Sequence, residues 1–427
     1  FASRCRATEW LTCSCNLRSV IFQSKREIVK FSNQLTKGLS KPVAKFILDM
    51  VYGVAKGASP ILSDISRSLG EEVPLSATIK RLSRNAASFN DFIKLDQNYL
   101  DLVQSQVEDD MLVMVDNSDI TKPYGEQFEG LARVHDGSKG GTEKGYLTTN
   151  ITIASPKTKH PIPIYSHLFS AEETDFVSAN VETYKGLNRV KRLFNNKRYT
   201  VVMDRGYDAN DIITFLSTEE TDFIMRLTDK RWIKRKGKAY KVPELAQRHK
   251  GKIAFDSQIK GKNYHLKISH LKVTLPSFPK QSFYMVIVYG YGKKPMKLLT
   301  NKTISSKAAV LQIVKGYITR WRIEELFRVQ KQEYGLEKVR TLTLNSIRLI
   351  HRLITYLLGH HAMRIEAAPL LNEIIYQRAR CLRENVKFQL YRYIRGLTAI
   401  LKDDLVGVRH YKHIEHRRNP GQLRLAI

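Results

Sequence analysis

The sequence predicts an α/β protein: a core of alternating strands and helices interrupted by a β-rich insertion, with helical regions at both ends. Three observations predict it. Between residues 101 and 227, short apolar runs alternate with helix-like stretches, and two of those runs lead straight into aspartate. Residues 228–302 are Lys-rich and strand-like, with Gly and Pro between the runs. Helical periodicity dominates before residue 100 and again after residue 303. The chain has 427 residues, enough for about three domains.

The charge narrows the function. Lys plus Arg number 71 against 41 Asp plus Glu, a net +30, which calls for a polyanionic partner. An anionic membrane fits poorly. The most apolar stretch, 349–358, is interrupted by His351 and Arg352, and nothing reaches the ~20 apolar residues of a spanning helix. The partner expected is therefore nucleic acid. Of the cysteines, Cys5, Cys13 and Cys15 crowd the first fifteen residues and Cys381 stands far away. That is no disulfide framework, and no fourth local ligand completes a zinc knuckle. A reducing, cytoplasmic setting alongside the nucleoid is expected. Residues 1–22 read as a sequence artefact or a disordered segment.

Residues 23–100 read as a helical DNA-binding region. One helix covers 42–55. A second starts from Ser59-Pro60 and stops at Gly70; a third opens at Pro74 and carries Lys80, Arg81 and Arg84. Two short helices about a Gly turn, the second basic, resemble a helix-turn-helix, although a plain bundle with a basic face has the same pattern. The core then covers 101–227 and 303–345. Strands are expected at 111–115, 146–153, 161–168 (an edge, from its prolines), 199–203 and 223–227, with helices at 172–194 and 209–217. Three strands, helix, strand, helix, strand is the order of an RNase H-like core. The β-rich module occupies 228–302, and a helical region runs over 346–427 with a loose, basic tail.

Three carboxylates stand out within that frame. Asp116 and Asp204 each follow an apolar strand, and those strands are sheet neighbours in the expected order. Phosphoryl transfer on DNA uses hard cations held by carboxylates, commonly two ions about 3.5–4 Å apart. Glu324 is the third candidate. On a helix, with Tyr317 at zero, Arg320 falls near about 300°, Glu324 near about 340° and Lys331 near about 320°. One face thus carries a carboxylate flanked by cations able to bond phosphate.

The spacing Tyr317-x2-Arg320-x3-Glu324-x6-Lys331 resembles the signature of DDE transposases of the insertion-sequence-four family, and its core here reads Arg320-Trp321-Arg322-Ile323-Glu324-Glu325. A second mark, Asp204-Arg205-Gly206-Tyr207, with Asp208 following, is similar to that family's Asp-x-Gly-x-Tyr/Phe. The likeness covers roughly residues 105–345. It implies Asp116, Asp204 and Glu324 as ligands of two Mg²⁺ or Mn²⁺ ions, and Tyr317, Arg320 and Lys331 as contacts to the DNA end. It further implies terminal inverted repeats and target DNA as substrates, cut-and-paste movement often through a hairpin, and a homodimer on DNA. Arg322 and the basic run Lys230, Arg231, Lys234 and Arg235 are added as DNA contacts from the charge pattern. Two departures follow. Where relatives carry Thr after the first Asp, this chain has Asp116-Asn117-Ser118-Asp119, so Asp119 competes with Asp116 as first ligand. Some relatives place a base-stacking Trp before Leu-Leu-Thr; here Met296 and Lys297 precede Leu298-Leu299-Thr300, leaving Tyr289 or Tyr291 for that task.

Commoner roles are set beside these. Glu325 is the natural solvated neighbour of Glu324, Trp321 a core aromatic, and the Gly-rich stretch 125–145, which lacks phosphate-loop spacing, a mobile loop near the active site. The adjacent His360-His361 lacks the i, i+4 spacing of a zinc pair. Two alternatives to an active transposase remain: a non-transposing RNase H-like nuclease, and an inactive remnant that binds specific DNA.

Overall fold

In the computed structural model, which describes residues 2–136, 140–155, 160–259, 261–381, 388–404 and 407–408, with side chains from Leu17 onward except Asp136 and Leu370, the apolar runs pair into one large mixed sheet. The N-terminal part is helical: α1 (Ala2–Leu35), α2 (Lys41–Gly57), α3 (Leu62–Leu69), α4 (Leu75–Ala87) and α5 (Phe92–Val103). Helix α3 starts later than the Ser59-Pro60 pair suggests. Ser59 Oγ accepts from the Ile61 N–H and donates to Asp64, so Ile61 takes the N-cap position. Gly70, at φ 60°, ends α3 before the turn into α4. Helix α5 packs into the core: Tyr99 is fully buried, donates to the Pro163 carbonyl at 2.6 Å and stacks on Tyr356 at 4.0 Å.

Next come β1 (Met111–Thr121), β2 (Ala132–Asp136), β3 (Gly141–Ala154), β4 (Ile162–Phe169), α6 (Ala179–Phe194), β5 (Tyr199–Met203), α7 (Asn210–Thr218) and β6 (Asp222–Arg226). The insertion supplies β7 (Trp232–Arg235), β8 (Lys238–Lys241), α8 (Val242–Gln247), β9 (Ile253–Ile259), β10 (Lys262–Leu275), β11 (Phe278–Tyr289) and β12 (Met296–Thr300). Strand order is β2-β3-β1-β5-β6-β12-β11-β10-β7-β8, with β4 on β3 and β9 on β10. Among the described residues, only β1–β5 and β5–β6 pair in parallel. The insertion thus prolongs the central sheet through β12 against β6.

Three expectations need correction. β1 does not stop at Val115: its polar half pairs with β3 in unbroken register as far as Thr121, so Asp116 lies mid-strand, beside Asn150. The helix expected over 172–194 starts only at Ala179, because Ser178 Oγ accepts from the Val181 N–H and fixes the start there. The stretch 125–145 is no simple loop, since Ala132 pairs with Gly145 and Asp136 with Gly141; residues 137–139 lie outside the described residues.

The remaining helices are α9 (Lys307–Thr319), α10 (Trp321–Gln332), α11 (Leu344–Ala367), α12 (Pro369–Arg378) and α13 (Leu390–Lys402). Strand side chains alternate between two cores. Val113, Val115, Val201, Met203 and Met225 face the core that also holds the N-terminal helices and α11. Met114, Val202, Ile224, Val286 and Leu298 face a second core with Val310, Ile313 and Val314 of α9. The terminal regions pack together, Thr398 of α13 donating to the Ala55 carbonyl of α2 at 3.1 Å. His361 is a core residue 3.0 Å from the Tyr334 hydroxyl, and half-buried His360 stacks on Phe31 at 4.4 Å. Among the described residues, no helix is long and apolar enough to cross a membrane. The basic tail 409–427 and the side chains of Cys5, Cys13 and Cys15 lie outside the described residues.

Candidate active site

Register brings two aspartates together. Val115 pairs with Met203, so Asp116 and Asp204, the next residues, are neighbours at the C-terminal end of β5. Adjacent strands lie about 4.8 Å apart. Alternation settles the face: Met114 and Val202 point into the α9 core, and Asp116 and Asp204 lie two residues further along. The helical pair α9–α10 covers that face, and Arg320 is its junction. The Arg320 N–H bonds the Tyr317 carbonyl at 3.1 Å, an i−3 contact, so the helix expected to run unbroken past Arg320 tightens there.

Arg320 ties the group together. Its Nη1 lies 2.6 Å from Asp116 Oδ2 and its Nη2 2.6 Å from Glu324 Oε1. The guanidinium is 12% exposed, Asp116 18% and Glu324 40%, so Glu324 stands at the open side. Asp204 Oδ1 accepts from the Gly206 N–H at 2.6 Å, which fixes its direction. Tyr317 is buried beneath, its ring 5.9 Å from the Arg320 guanidinium, with Arg226 at its hydroxyl. Burial pushes the Asp116 carboxyl up to about 7; Arg320 opposes the shift, while the charges of Asp204 and Glu324 add to it. Arg320 thus links Asp116 to Glu324, and strand register sets Asp204 beside Asp116.

The donor set suits a hard divalent cation, being carboxylate oxygens in excess of the positive charge that faces them. Arg320 stands between Asp116 and Glu324, and among the described residues no three Asp, Glu, His or Cys side chains form a ready cage. An ion would therefore take over charge that Arg320 now neutralises.

Asp119 has other partners: it meets Lys331 Nζ at 3.1 Å, and Lys331 also meets Glu337 at 3.0 Å. Lys331 thus stands apart from the Arg320 cluster. Glu325 is a correction. It is buried and paired with Arg328 at 2.7 Å, whereas Glu324 is the more open of the two. Trp321 is half-buried. Burial lowers the pKa of Arg322, which faces the charge of Glu366. In the basic run, Lys230 is exposed and Lys234 half-buried. Arg235 is engaged by His249. Arg231 is turned inward onto Asp208 at 2.6 Å, with 13% of its side chain exposed, so its charge does not face solvent as the run suggested. Tyr291 senses the charges of Glu324, Arg226 and Arg320, whereas Tyr289 donates to the Ala246 carbonyl at 2.7 Å and braces α8. Sequence reasoning missed Arg226 and Tyr207. Arg226 ends β6 level with Asp204, a strand-end position that was available to read. Tyr207 is buried beside Asp116 and Asp204, within a motif read only for its aspartate.

A stability consequence follows from Asp116. Its folded pKa lies above its ordinary 3.8, so the unfolded chain releases this proton first as pH rises. Stability is lost between about pH 4 and pH 7 and not regained above. Without divalent ions, Asp116→Asn should therefore melt higher than the wild type, by a margin that grows over that window and levels off by about pH 8. Mg²⁺ should narrow the margin by favouring the charged carboxylate. A margin that is flat with pH would refute the burial argument.

The sequence model of a family described as transposase DDE domain matches residues 133–358, a stretch that contains Asp204, Tyr317, Arg320, Glu324 and Lys331, with Asp116 just ahead of it. No curated protein matches the chain. Among solved structures it is similar to the piggyBac transposase in a cryo-EM synaptic complex with hairpin DNA, at 12% identity over 96% of this chain and 83% of that one, TM-score 0.44. It is also similar to the NurA nuclease from Sulfolobus solfataricus, at 8% identity over 60% of this chain and 97% of that one, TM-score 0.28.

Proposed function

The chain belongs to the transposase DDE domain family, whose match covers over half of its residues, and from that membership we propose that it cuts DNA at the terminal inverted repeats of a mobile element and joins the freed ends to target DNA. The reading is of a cut-and-paste enzyme of the insertion-sequence-four group, built on an RNase H-like core. The observation that carries it is the meeting of Asp116, Asp204 and Glu324 on one face around Arg320.

In this reading Asp116, Asp204 and Glu324 hold the ions, and Mg²⁺ or Mn²⁺ bound there, two in number, supplies Lewis-acid stabilisation of the attacking and leaving oxygens. Arg320 holds Asp116 and Glu324 toward each other beforehand, and its planar fork is suited to take a backbone phosphate once those carboxylates are otherwise neutralised. Tyr317 props Arg320 from below. Lys331, braced by Asp119 and Glu337, serves the flanking phosphates as a point charge. Tyr291, whose ring packs against Tyr264 at 5.3 Å, is assigned the part of the aromatic that meets a base.

For end recognition we assign α3 and α4. Lys80 and Arg84 of α4 face solvent, while Arg81 turns inward to Asp49 at 2.9 Å and Glu71 at 2.7 Å and secures the helix. A second helix held this way presents a basic face of the kind that enters a major groove. Lys230 and Lys234 are retained as phosphate contacts, whereas Arg231 and Arg235 are spent on holding the insertion. A homodimer on paired ends, within a reducing cytoplasm beside the nucleoid, completes the reading.

The test is incubation of the full chain with duplex carrying its flanking inverted repeat, with and without Mg²⁺. Metal-dependent cleavage at the repeat end followed by joining is the expected result. Cleavage without joining would favour a nuclease, and binding without cleavage under any divalent ion would favour a DNA-binding remnant.

A further inference from the structure

A cleft of about 670 Å³ opens in the insertion between the end of α8 and β10. It is lined by Arg235, Arg248, His249, Lys250, Lys252 and His270, and by no carboxylate. Its floor is a notch in the sheet. β9 pairs with β10 only as far as Ile268, and β7 joins only at Thr274, so residues 269–273 have no strand on that side. The basic segment is pinned across the notch. The Lys252 N–H bonds the Ile268 carbonyl at 3.0 Å, and Ser269 Oγ donates to the His249 carbonyl at 2.8 Å. Gly251 is required for this approach, since a Cβ there would lie 2.3 Å from the Lys267 carbonyl carbon. The His249 ring is held by the Leu245 carbonyl and by Arg235. Arg248, Lys250 and Lys252 are exposed. Arg248 is paired with Glu244 at 2.8 Å, which leaves Lys250 and Lys252, exposed on an ordered backbone beside His249 and His270, as the cations that make a seat for a polyanion.

Register gives the position of this seat relative to the carboxylates. Asp116 lies beside Asp204, one residue past the Val115–Met203 pair. Met203 pairs with Met225, which sets Arg226 level with Asp204. Arg226 pairs with Leu298, Leu298 with Val286, and Val286 with His270. His270 of the cleft is therefore in the same row as Asp116, five strands away. Val286 and Leu298 point into the α9 core, so the row is followed on one face. Five spacings of about 4.8 Å make about 24 Å, and at about 3.4 Å per step this is about seven base pairs of B-form duplex.

Resting on the reading of the chain as a DNA-cutting enzyme, we propose that this cleft seats backbone phosphates of the duplex whose end lies at Asp116, Asp204 and Glu324, about seven base pairs in from the cut. The contact carries no sequence information; it sets the angle and reach of the duplex across the sheet.

The test uses the full chain, wild type and Lys250→Gln/Lys252→Gln, with a labelled duplex of about 30 base pairs carrying the repeat. Both lysines are exposed, and matched melting curves establish that the variant folds. The log-affinity against log-salt slope should become shallower by about two in the variant, one for each lost phosphate contact. Neutral methylphosphonates placed about six to eight base pairs from the cut should weaken wild-type binding by a similar factor and leave the variant unaffected. A wild type that cleaves the duplex while the variant keeps its slope and its methylphosphonate sensitivity overturns the cleft alone. A wild type that neither binds nor cleaves DNA overturns the enzyme reading and the cleft with it.

Discussion

Asp116→Ala, Asp204→Ala and Glu324→Ala should each lower cleavage by about three orders of magnitude or more while DNA binding survives. The reason is a division of labour in the structure. The three carboxylates surround Arg320 at the end of β5, whereas the exposed cations assigned to DNA binding, Lys80, Arg84, Lys230, Lys250 and Lys252, lie on α4 and across the insertion. Loss of one carboxylate removes a third of the donor set without touching those surfaces. Glu324→Ala frees one side of Arg320 and leaves Asp116 paired, so the fold should tolerate it. Asp204→Ala releases only the Gly206 N–H. Binding is read by mobility shift and cleavage by strand-resolving gels on the same samples. Retained cleavage in any one variant would remove that residue from the site. Asp119→Ala separates the two candidates for first ligand: Asp119 pairs with Lys331, so its loss should weaken end binding and spare most of the chemistry.

The largest stability loss is expected from Asp208→Ala. The Asp208 side chain is fully buried and accepts from four donors that begin the insertion: the Thr228 N–H at 2.7 Å and hydroxyl at 2.8 Å, and Arg231 Nε at 2.7 Å and Nη2 at 2.6 Å. Its removal strands a mostly buried guanidinium, and breaking a buried pair in this way costs about 3–5 kcal/mol. The urea midpoint should fall accordingly. Arg231→Ala should cost less, and Asp208→Ala/Arg231→Ala less than the sum of the two, because the uncompensated charge is then absent. Additive losses would show that the pair does not act as a unit. Cleavage should fall in the same variants, since Asp208 sits four residues past Asp204 and closes the turn that carries it.

Much of this protein was legible from local pattern. Apolar runs with the right alternation gave β5 residue for residue and located β4 as an edge, because period-2 burial and Pro placement are written in neighbouring residues. Helical spacing put Tyr317, Arg320 and Glu324 on one face for the same reason. Other features depend on residues far apart in sequence. The polar half of β1 reads as loop until β3 is seen pairing with it. Glu325 looks more solvated than Glu324 until α10 is docked, at which point Tyr391 of α13 donates to it.

Composition and periodicity, both local properties, were enough for the α/β class and the large positive charge, whereas the place of β2 beside β3 was not legible because it rests on pairing between segments. Tertiary structure alone decided that Arg320 stands between two of those carboxylates, that Arg231 faces inward, and that the insertion continues the central sheet and sets His270 in the same row as Asp116. Each of these depends on strand register and helix docking, and hydrogen bonds between distant segments fix both.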